Sequence, residues 1–299
     1  MTATGTQTKT RISLKNILYA TDFSPAAAAA LPYVKGLSKQ YGATAHAVHV
    51  RMPATYPIVG PEMMPQVIEA AEEQAKFEAQ QLHEMLAGIP HDVAVTEGVL
   101  WPTITDMIRE KNIDLVVIGT RGRTGVGRTL LGSVAEEIFR RAPCPVLTVG
   151  PHISQDTARR LEMREILYAT DFSPESLTAL PYALSLAQEH QARLTVLHVT
   201  AEPEVGELVH AGNYIESTKR RLAELVPAEI KAWCEPNFRV EQGPVAKKIL
   251  EVATAIGADL IVLGIDGSPG HRGTSSHRFR PTAHYVVTQA ECPVLTVRG

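Results

Sequence analysis

One stretch of this sequence is suited to holding an anion. Gly119-Thr-Arg-Gly122-Arg-Thr-Gly125-Val-Gly127-Arg-Thr-Leu-Leu-Gly132-Ser133 follows a continuous apolar run, Asp114–Ile118, and opens a helical pattern, Ser133–Arg141. Glycine at a strand end lets the backbone approach an anion closely, and a helix N-terminus offers unpaired N–H groups and the positive end of its dipole. Ser133 adds a hydroxyl donor, and Arg121, Arg123 and Arg128 are counter-charges suited to phosphates. A second group, Thr21-Asp22, sits just before Ser24-Pro25, which reads as an N-cap followed by proline at the first helical position. The Asp22 carboxylate is not needed for that cap, so it is expected to accept hydrogen bonds from the sugar or base of a nucleotide.

The elements that position these residues occur twice. Ile17 through Pro25 recurs identically as Ile166 through Pro174, and Leu31-Pro32-Tyr33 as Leu180-Pro181-Tyr182. His49-Val50 recurs as His198-Val199, and Cys144 through Val149 as Cys292 through Val297. The period is far too long for a solenoid and implies two complete copies of one domain. The expected boundaries are 1–150 and 164–299, with the polar stretch 151–163 as linker.

Within the first copy, strands are expected over Asn16–Ala20, Thr44–Val50, Asp92–Thr96, Asp114–Ile118 and Val146–Val149. Helices are expected from Pro25 to about Gln40, over Pro102–Lys111 and over Ser133–Arg141. Between them, Val67, Ala71, Ala75, Ala79, Leu82 and Leu86 make one apolar helix face. The order βαβαβαβαβ makes the fold class α/β: two tandem open, doubly wound parallel five-stranded sheets, Rossmann-like, with helices on both faces. Ligands of such sheets bind beyond the carboxyl ends of the strands, where strand order reverses. Both candidate groups lie there.

Bulk properties exclude several classes. The 299 residues suit two domains, and with 44% hydrophobic residues each can bury a core. A net charge of −3 argues against a nucleic-acid footprint. Three cysteines give no disulfide framework and suit a reducing interior. The polar, Thr-rich start carries no signal-peptide pattern and no run reaches membrane-span length. A cytoplasmic protein is expected, with no membrane and no nucleic acid among its partners.

These residues resemble the universal stress protein family over nearly the whole chain, twice. Gly119-x2-Gly122-x9-Gly132-Ser133 is similar to that family's ATP-binding loop. The aspartate after strand one, the strand-two ending His49-Val50 and the closing Ala142-Pro143-Cys144-Pro145-Val146 are similar too. The resemblance implies the universal-stress-protein, adenine nucleotide α-hydrolase-like version of the fold. It also implies ATP or another adenine nucleotide as cofactor, with Mg on the phosphate oxygens and no metal ligands from protein side chains. Asp22, behind Thr21, would contact ribose or base, and the backbone around Val50 the adenine edge. Gly119, Gly122, Gly132 and Ser133 would surround the phosphates, with Arg121 and Val134 in the same binding set. The family's last strand often pairs edge to edge with another domain, so pairing of Val146–Val149 with Val294–Val297, or between chains as a homodimer, is expected. An edge of this kind needs cover.

The second copy keeps Asp171, Val199, Gly264 and Gly267. Where Gly-Ser would stand, it has His277 and Arg278, and its loop is about three residues longer before Cys292. A weaker second site, without the phosphate grip, is expected. Plainer readings compete. Ser133-Val-Ala-Glu136 is a capping box, Asp22 can simply order its loop, and Gly125 and Gly127 suit turns. Gly122-x4-Gly127-Arg128-Thr129 lacks the Walker A lysine. His271, His277, His284 and Cys292 fit no zinc spacing. The expected function is an ATP-binding stress-response regulator. The alternatives are an enzyme of the same fold group, at most a slow ATPase, and a nucleotide-independent dimerisation or interaction module. No catalytic base is apparent, and neither Ser-Gly-Gly-x-Asp-Ser nor His-Ile-Gly-His occurs.

Overall fold

The computed structural model describes residues 11–51, 62–120, 131–150, 153, 163–200, 211–231, 234–266 and 282–299. Two compact units form, Leu14–Leu161 and Glu162–Gly299, the latter taking with it the described residues ahead of Leu14. Ile12 donates its N–H to Ser185 Oγ at 2.8 Å, and Arg11 reaches Glu189 at 3.3 Å. Most of the expected linker, 151–163, lies outside the described residues.

The first unit runs β1 (Asn16–Ala20), α1 (Pro25–Tyr41), β2 (Thr44–Arg51), α2 (Met64–Met85), β3 (His91–Glu97), α3 (Leu100–Glu110), β4 (Leu115–Gly119), α4 (Ser133–Arg141) and β5 (Val146–Val149). Its strands are parallel in the order β3-β2-β1-β4-β5. The chain builds outward from β1 to β3, then returns to the other side of β1. Strand order therefore reverses between β1 and β4.

The second unit runs β6 (Glu165–Ala169), α5 (Pro174–Thr178), α6 (Leu180–His190), β7 (Arg193–Thr200), α7 (Ala211–Leu225), α8 (Ala228–Lys231), β8 (Asn237–Gln242), α9 (Val245–Ile256), β9 (Leu260–Ile265), α10 (Thr282–Gln289) and β10 (Val294–Arg298). Its parallel order β10-β9-β6-β7-β8 repeats the same reversal, between β6 and β9.

The repeated residues hold the same positions in both units. Ile17, Leu18 and Tyr19 of β1, and Ile166, Leu167 and Tyr168 of β6, are fully buried, as a central strand covered on both faces must be. The Asp114 carboxylate accepts the N–H groups of Lys15 and Asn16 at 2.7 and 2.9 Å, fixing where β1 begins. Asp259 does the same for Arg164 and Glu165 at 2.7 and 3.0 Å. The Tyr19 hydroxyl donates to the Ala27 carbonyl at 2.9 Å, and Tyr168 to Ser176 at 2.9 Å. Burial pushes both phenols up to about 12.

Small departures from the sequence expectation have local causes. α3 starts at Leu100, two residues early, because Pro102 in a first helical turn gives up no intrahelical bond. α1 continues through Pro32, whereas its counterpart breaks at Ala179, just before Leu180-Pro181. Proline offers no N–H to the preceding turn, so neither Pro32 nor Pro181 donates an intrahelical bond. The apolar face of α2 is half-buried from Val67 to Ala79 and fully buried at Leu82 and Leu86.

Gly119 and Gly264 are fixed by packing. A Cβ on Gly119 would stand 2.1 Å from the Ala26 carbonyl oxygen, and one on Gly264 2.1 Å from that of Glu175. Gly119→Ala and Gly264→Ala should each lower unfolding stability by about 1–3 kcal/mol through overpacking, measured by urea titration. Acid should also destabilise the protein through His46 and His190. Burial lowers both pKa values, against the opposing pull of Asp92 on His46 and of Glu189 on His190. The native state thus prefers neutral rings, while the unfolded chain protonates them near about pH 6.5. Their contribution is present above that pH and should fade as pH falls below it. Urea midpoints at pH 7.5 and pH 5.5 for wild type and His46→Gln should show a smaller acid loss in the variant.

Candidate functional site

The site is built where β1 ends. Thr21 extends the strand by one bond, donating its N–H to the Val48 carbonyl at 3.0 Å. Its Oγ1 then accepts the Phe23 N–H at 3.0 Å, Asp22 Oδ1 accepts the Ser24 N–H at 2.9 Å, and Ser24 Oγ caps α1 at the Ala27 N–H, 3.2 Å. These bonds hold Phe23 at a φ of 60°, a left-handed conformation uncommon for an aromatic residue. Ser24 makes the cap without Asp22, as expected, while one Asp22 carboxylate oxygen ties the turn that precedes it, in keeping with the competing reading that the residue orders its loop. Asp171 makes the same turn, accepting the Ser173 N–H at 2.9 Å and the Ser173 hydroxyl at 2.5 Å, with Phe172 at a φ of 65°. Burial pushes the Asp171 carboxyl up, but hydrogen bonds from Ser173 and Ser176 outweigh it and hold the group below the usual carboxylate range.

The end of β2 forms the next wall. His49 Nδ1 donates to the Thr21 carbonyl at 2.8 Å, and its ring meets Phe23 edge-on with centroids 4.8 Å apart. His198 repeats both contacts, with Thr170 at 2.8 Å and with Phe172 at 4.8 Å, and the Arg221 guanidinium lies 3.9 Å from the Phe172 ring centre. The sequence reading overlooked this ring pair as a wall of the site, although identical phenylalanines and histidines in both copies were its signal. Val50 is half-buried beside His49. Val48 bonds toward β1, and Arg51 bonds toward the β3 side, accepting the Gly98 N–H at 3.0 Å. Backbone direction alternates along a strand, so the N–H and C=O of Val50 face the β1 side, past the point where β1 has turned into α1. Val199 is directed alike, between Leu197, which bonds to Thr170, and Thr200, which bonds to Gly243.

The end of β4 closes the set. Tyr19 pairs with Val117, so Thr21 comes level with Gly119 across the switch point. Thr120, buried, donates its N–H to the Val149 carbonyl at 3.0 Å and accepts the Gly132 N–H at 2.8 Å. That second bond brings the chain back to the strand end, where Gly132, at φ −61° and ψ 152°, is the N-cap of α4. The capping box expected at Ser133 and Glu136 is not formed. The tie to Thr120 sets the extended residue at Gly132, so Ser133 is the first helical residue and the cap residue, a glycine, has no side chain to offer the helix. The first-turn N–H groups, those of Ser133 and Val134 among them, have no intrahelical partner. Arg121 and Gly122, and Gly267, His277 and Arg278 in the second copy, lie outside the described residues, as does the Ser133 side chain. The structure thus gathers Thr21, Asp22, Val50, Gly119, Gly132 and Val134 at one end of one sheet. In the second unit it gathers Asp171, Val199 and Gly264.

Among the described residues, no group of three or more His, Cys, Asp or Glu side chains converges, and no helix is long and apolar enough to cross a membrane. Burial pushes the Cys144 and Cys292 thiols up to about 12, which suits packing at a strand entry and not nucleophilic work.

Comparison with known proteins decides the family. The profile of the universal stress protein family matches residues 13–150 and again 162–298. The chain belongs to the universal stress protein family. A universal stress protein of Mycolicibacterium smegmatis is 27% identical over 293 residues, covering 94% of this chain and 96% of its own. One from Thermus aquaticus is 32% identical over 136 residues, 45% of this chain and 98% of its own, as a single-domain relative of a tandem protein should be. The solved universal stress protein of Archaeoglobus fulgidus shares the fold at a TM-score of 0.68 and 20% identity, covering 95% of this chain and 98% of its own. In this tandem universal stress protein, the turn at Asp22 carries stability whatever its ligand. Asp22→Ala should cost about 1 kcal/mol without any nucleotide, by losing the acceptor for the Ser24 N–H. A thermal scan of the unliganded variant checks this.

Proposed function

We propose that this universal stress protein is a nucleotide-responsive regulator of the cytosol, holding ATP with Mg in its first unit and little or nothing in its second. The observation that carries the reading is the tie between Gly132 and Thr120. It sets the N-terminus of α4, with a glycine at its cap, just past the end of β4, next to the strand-order reversal between β1 and β4. A helix start without a side-chain acceptor suits a phosphate. The Val50 backbone, directed past the end of β1, suits the polar edge of a purine. In this reading Asp22 uses carboxylate capacity beyond its bond to Ser24 for the ribose. Gly119, Arg121, Gly122, Gly132, Ser133 and Val134 surround the phosphates, and Mg sits on phosphate oxygens. Asp171, Val199, Gly264 and Gly267 keep the nucleoside end of a second site whose grip residues have been replaced. Pairing through the fifth strands, within the chain or as a homodimer, belongs to the same proposal.

One rival has an observation in its favour. The Asp171 turn persists in the unit that lacks Gly-Ser at its helix start, so the aspartate alone is consistent with a structural motif in a nucleotide-independent module. Calorimetry of the full chain with Mg-ATP separates the two. The proposal expects about one nucleotide per chain and, for Gly132→Ala, binding about tenfold weaker or worse. Single-turnover assays should show no hydrolysis beyond a slow background. Absence of heat in the wild type would favour the interaction module, and fast turnover would favour an enzyme.

A further inference from the structure

Away from the switch point, at the outer edge of the first unit, two histidines face each other. His83 lies in the last turn of α2 and His91 opens β3, the last strand on that side of its sheet. His83 Nδ1 and His91 Nε2 are 3.0 Å apart, with ring centroids at 5.2 Å and the planes tilted by 54°. His91 Nδ1 lies 2.8 Å from the Ile89 carbonyl. A carbonyl can only accept, so Nδ1 carries a hydrogen, and in the neutral ring Nε2 presents its lone pair to His83. A backbone carbonyl on the far nitrogen is the outer-shell arrangement that orients metal-binding histidines and raises their basicity.

We propose that His83 and His91 form a two-imidazole site for a divalent late transition-metal ion. Metal–imidazole bonds are about 2.0–2.1 Å long, so an ion held by both rings takes the place of the hydrogen bond between them once His83 turns. With imidazole donors affinity rises from Ni2+ to Cu2+ and falls again to Zn2+, which points to Cu2+ first. Neutral nitrogen donors exclude Mg2+ and Ca2+, which require oxygen ligands. His83 is solvent-exposed, and a change of its χ2 turns its lone pair off the line between the rings toward an ion held by His91. Without metal, Nδ1–H of His83 donates to His91. On metal binding that proton moves through water to Nε2, the ring stays neutral, and both ligand nitrogens carry lone pairs. No further His, Cys, Asp or Glu joins them among the described residues, so water fills the remaining positions. The ion would close the short connection between α2 and β3, clipping the helix to the outermost strand.

The test is thermal unfolding and calorimetry of the full, untagged chain with Ni2+, Cu2+ and Zn2+, and with Mg2+ as control, for wild type, His83→Gln and His91→Gln. Wild type should bind Ni2+ or Cu2+ with a rise in Tm, and each variant should lose one ion per chain and that rise, with at least about a tenfold loss of affinity. Zn2+ should bind more weakly and Mg2+ not at all. Both variants sit at exposed or half-exposed positions, and their metal-free Tm values serve as the folding control. Equal ion stoichiometry and equal Tm shifts in wild type and both variants would overturn the proposal, as would a wild type that ignores Ni2+ and Cu2+. The outcome is independent of whether ATP binds at the switch point.

Discussion

The site depends on a contact that only glycine permits. At Gly119 and at Gly264 the strand backbone passes so close to the start of its own unit's first helix that a single methyl group would overlap a carbonyl oxygen. That approach sets the start of α1 against the end of β4, and α5 against the end of β9. Everything else at the switch point is placed relative to it: the Asp22 turn, the His49–Phe23 wall and the return of the chain at Gly132. The glycine loop was read first as a way for backbone to approach an anion. The approach is real, but at its first glycine the partner is the protein's own helix.

Most of the architecture was legible because the sequence states it twice. The identical Ile17–Pro25 and Ile166–Pro174 segments mark the central strand, the aspartate turn and the capped helix in both units. The continuous apolar runs mark strands buried on both faces. Where the reading failed, the deciding bond lay outside any local pattern. Ser133 looks like an N-cap because Glu136 follows three residues later, yet a bond from Gly132 to Thr120, twelve positions back in the chain, moves the cap by one residue. For Asp22 the spacing leaves ligand binding and loop ordering both open, because Ser24 already serves as the cap and nothing in the spacing shows that the Ser24 N–H needs an acceptor of its own. The facing of His49 against Phe23 arises from two strand ends meeting, which no single-segment pattern encodes.

The two units also separate what is structural from what is specialised. Asp114 and Asp259, Tyr19 and Tyr168, and the two His–carbonyl bonds recur with nearly the same distances, so they belong to the fold. The side chains around the helix start after β4 do not recur after β9. The connection after β4 therefore differs between the halves where the fold's own bonds do not, as connections on a rigid scaffold are free to do.

The bond between Gly132 and Thr120 has an evolutionary corollary. By pairing Gly132 with Thr120, it ties the chain on both sides of residues 121–131 to the end of β4 through a bond those residues do not supply. A duplicated copy that rewrites the corresponding stretch of sequence, as the one after Ile265 has been rewritten, can still keep β9 and β10 in register. Two halves descended from one ancestral repeat can thus part in purpose while sharing a scaffold.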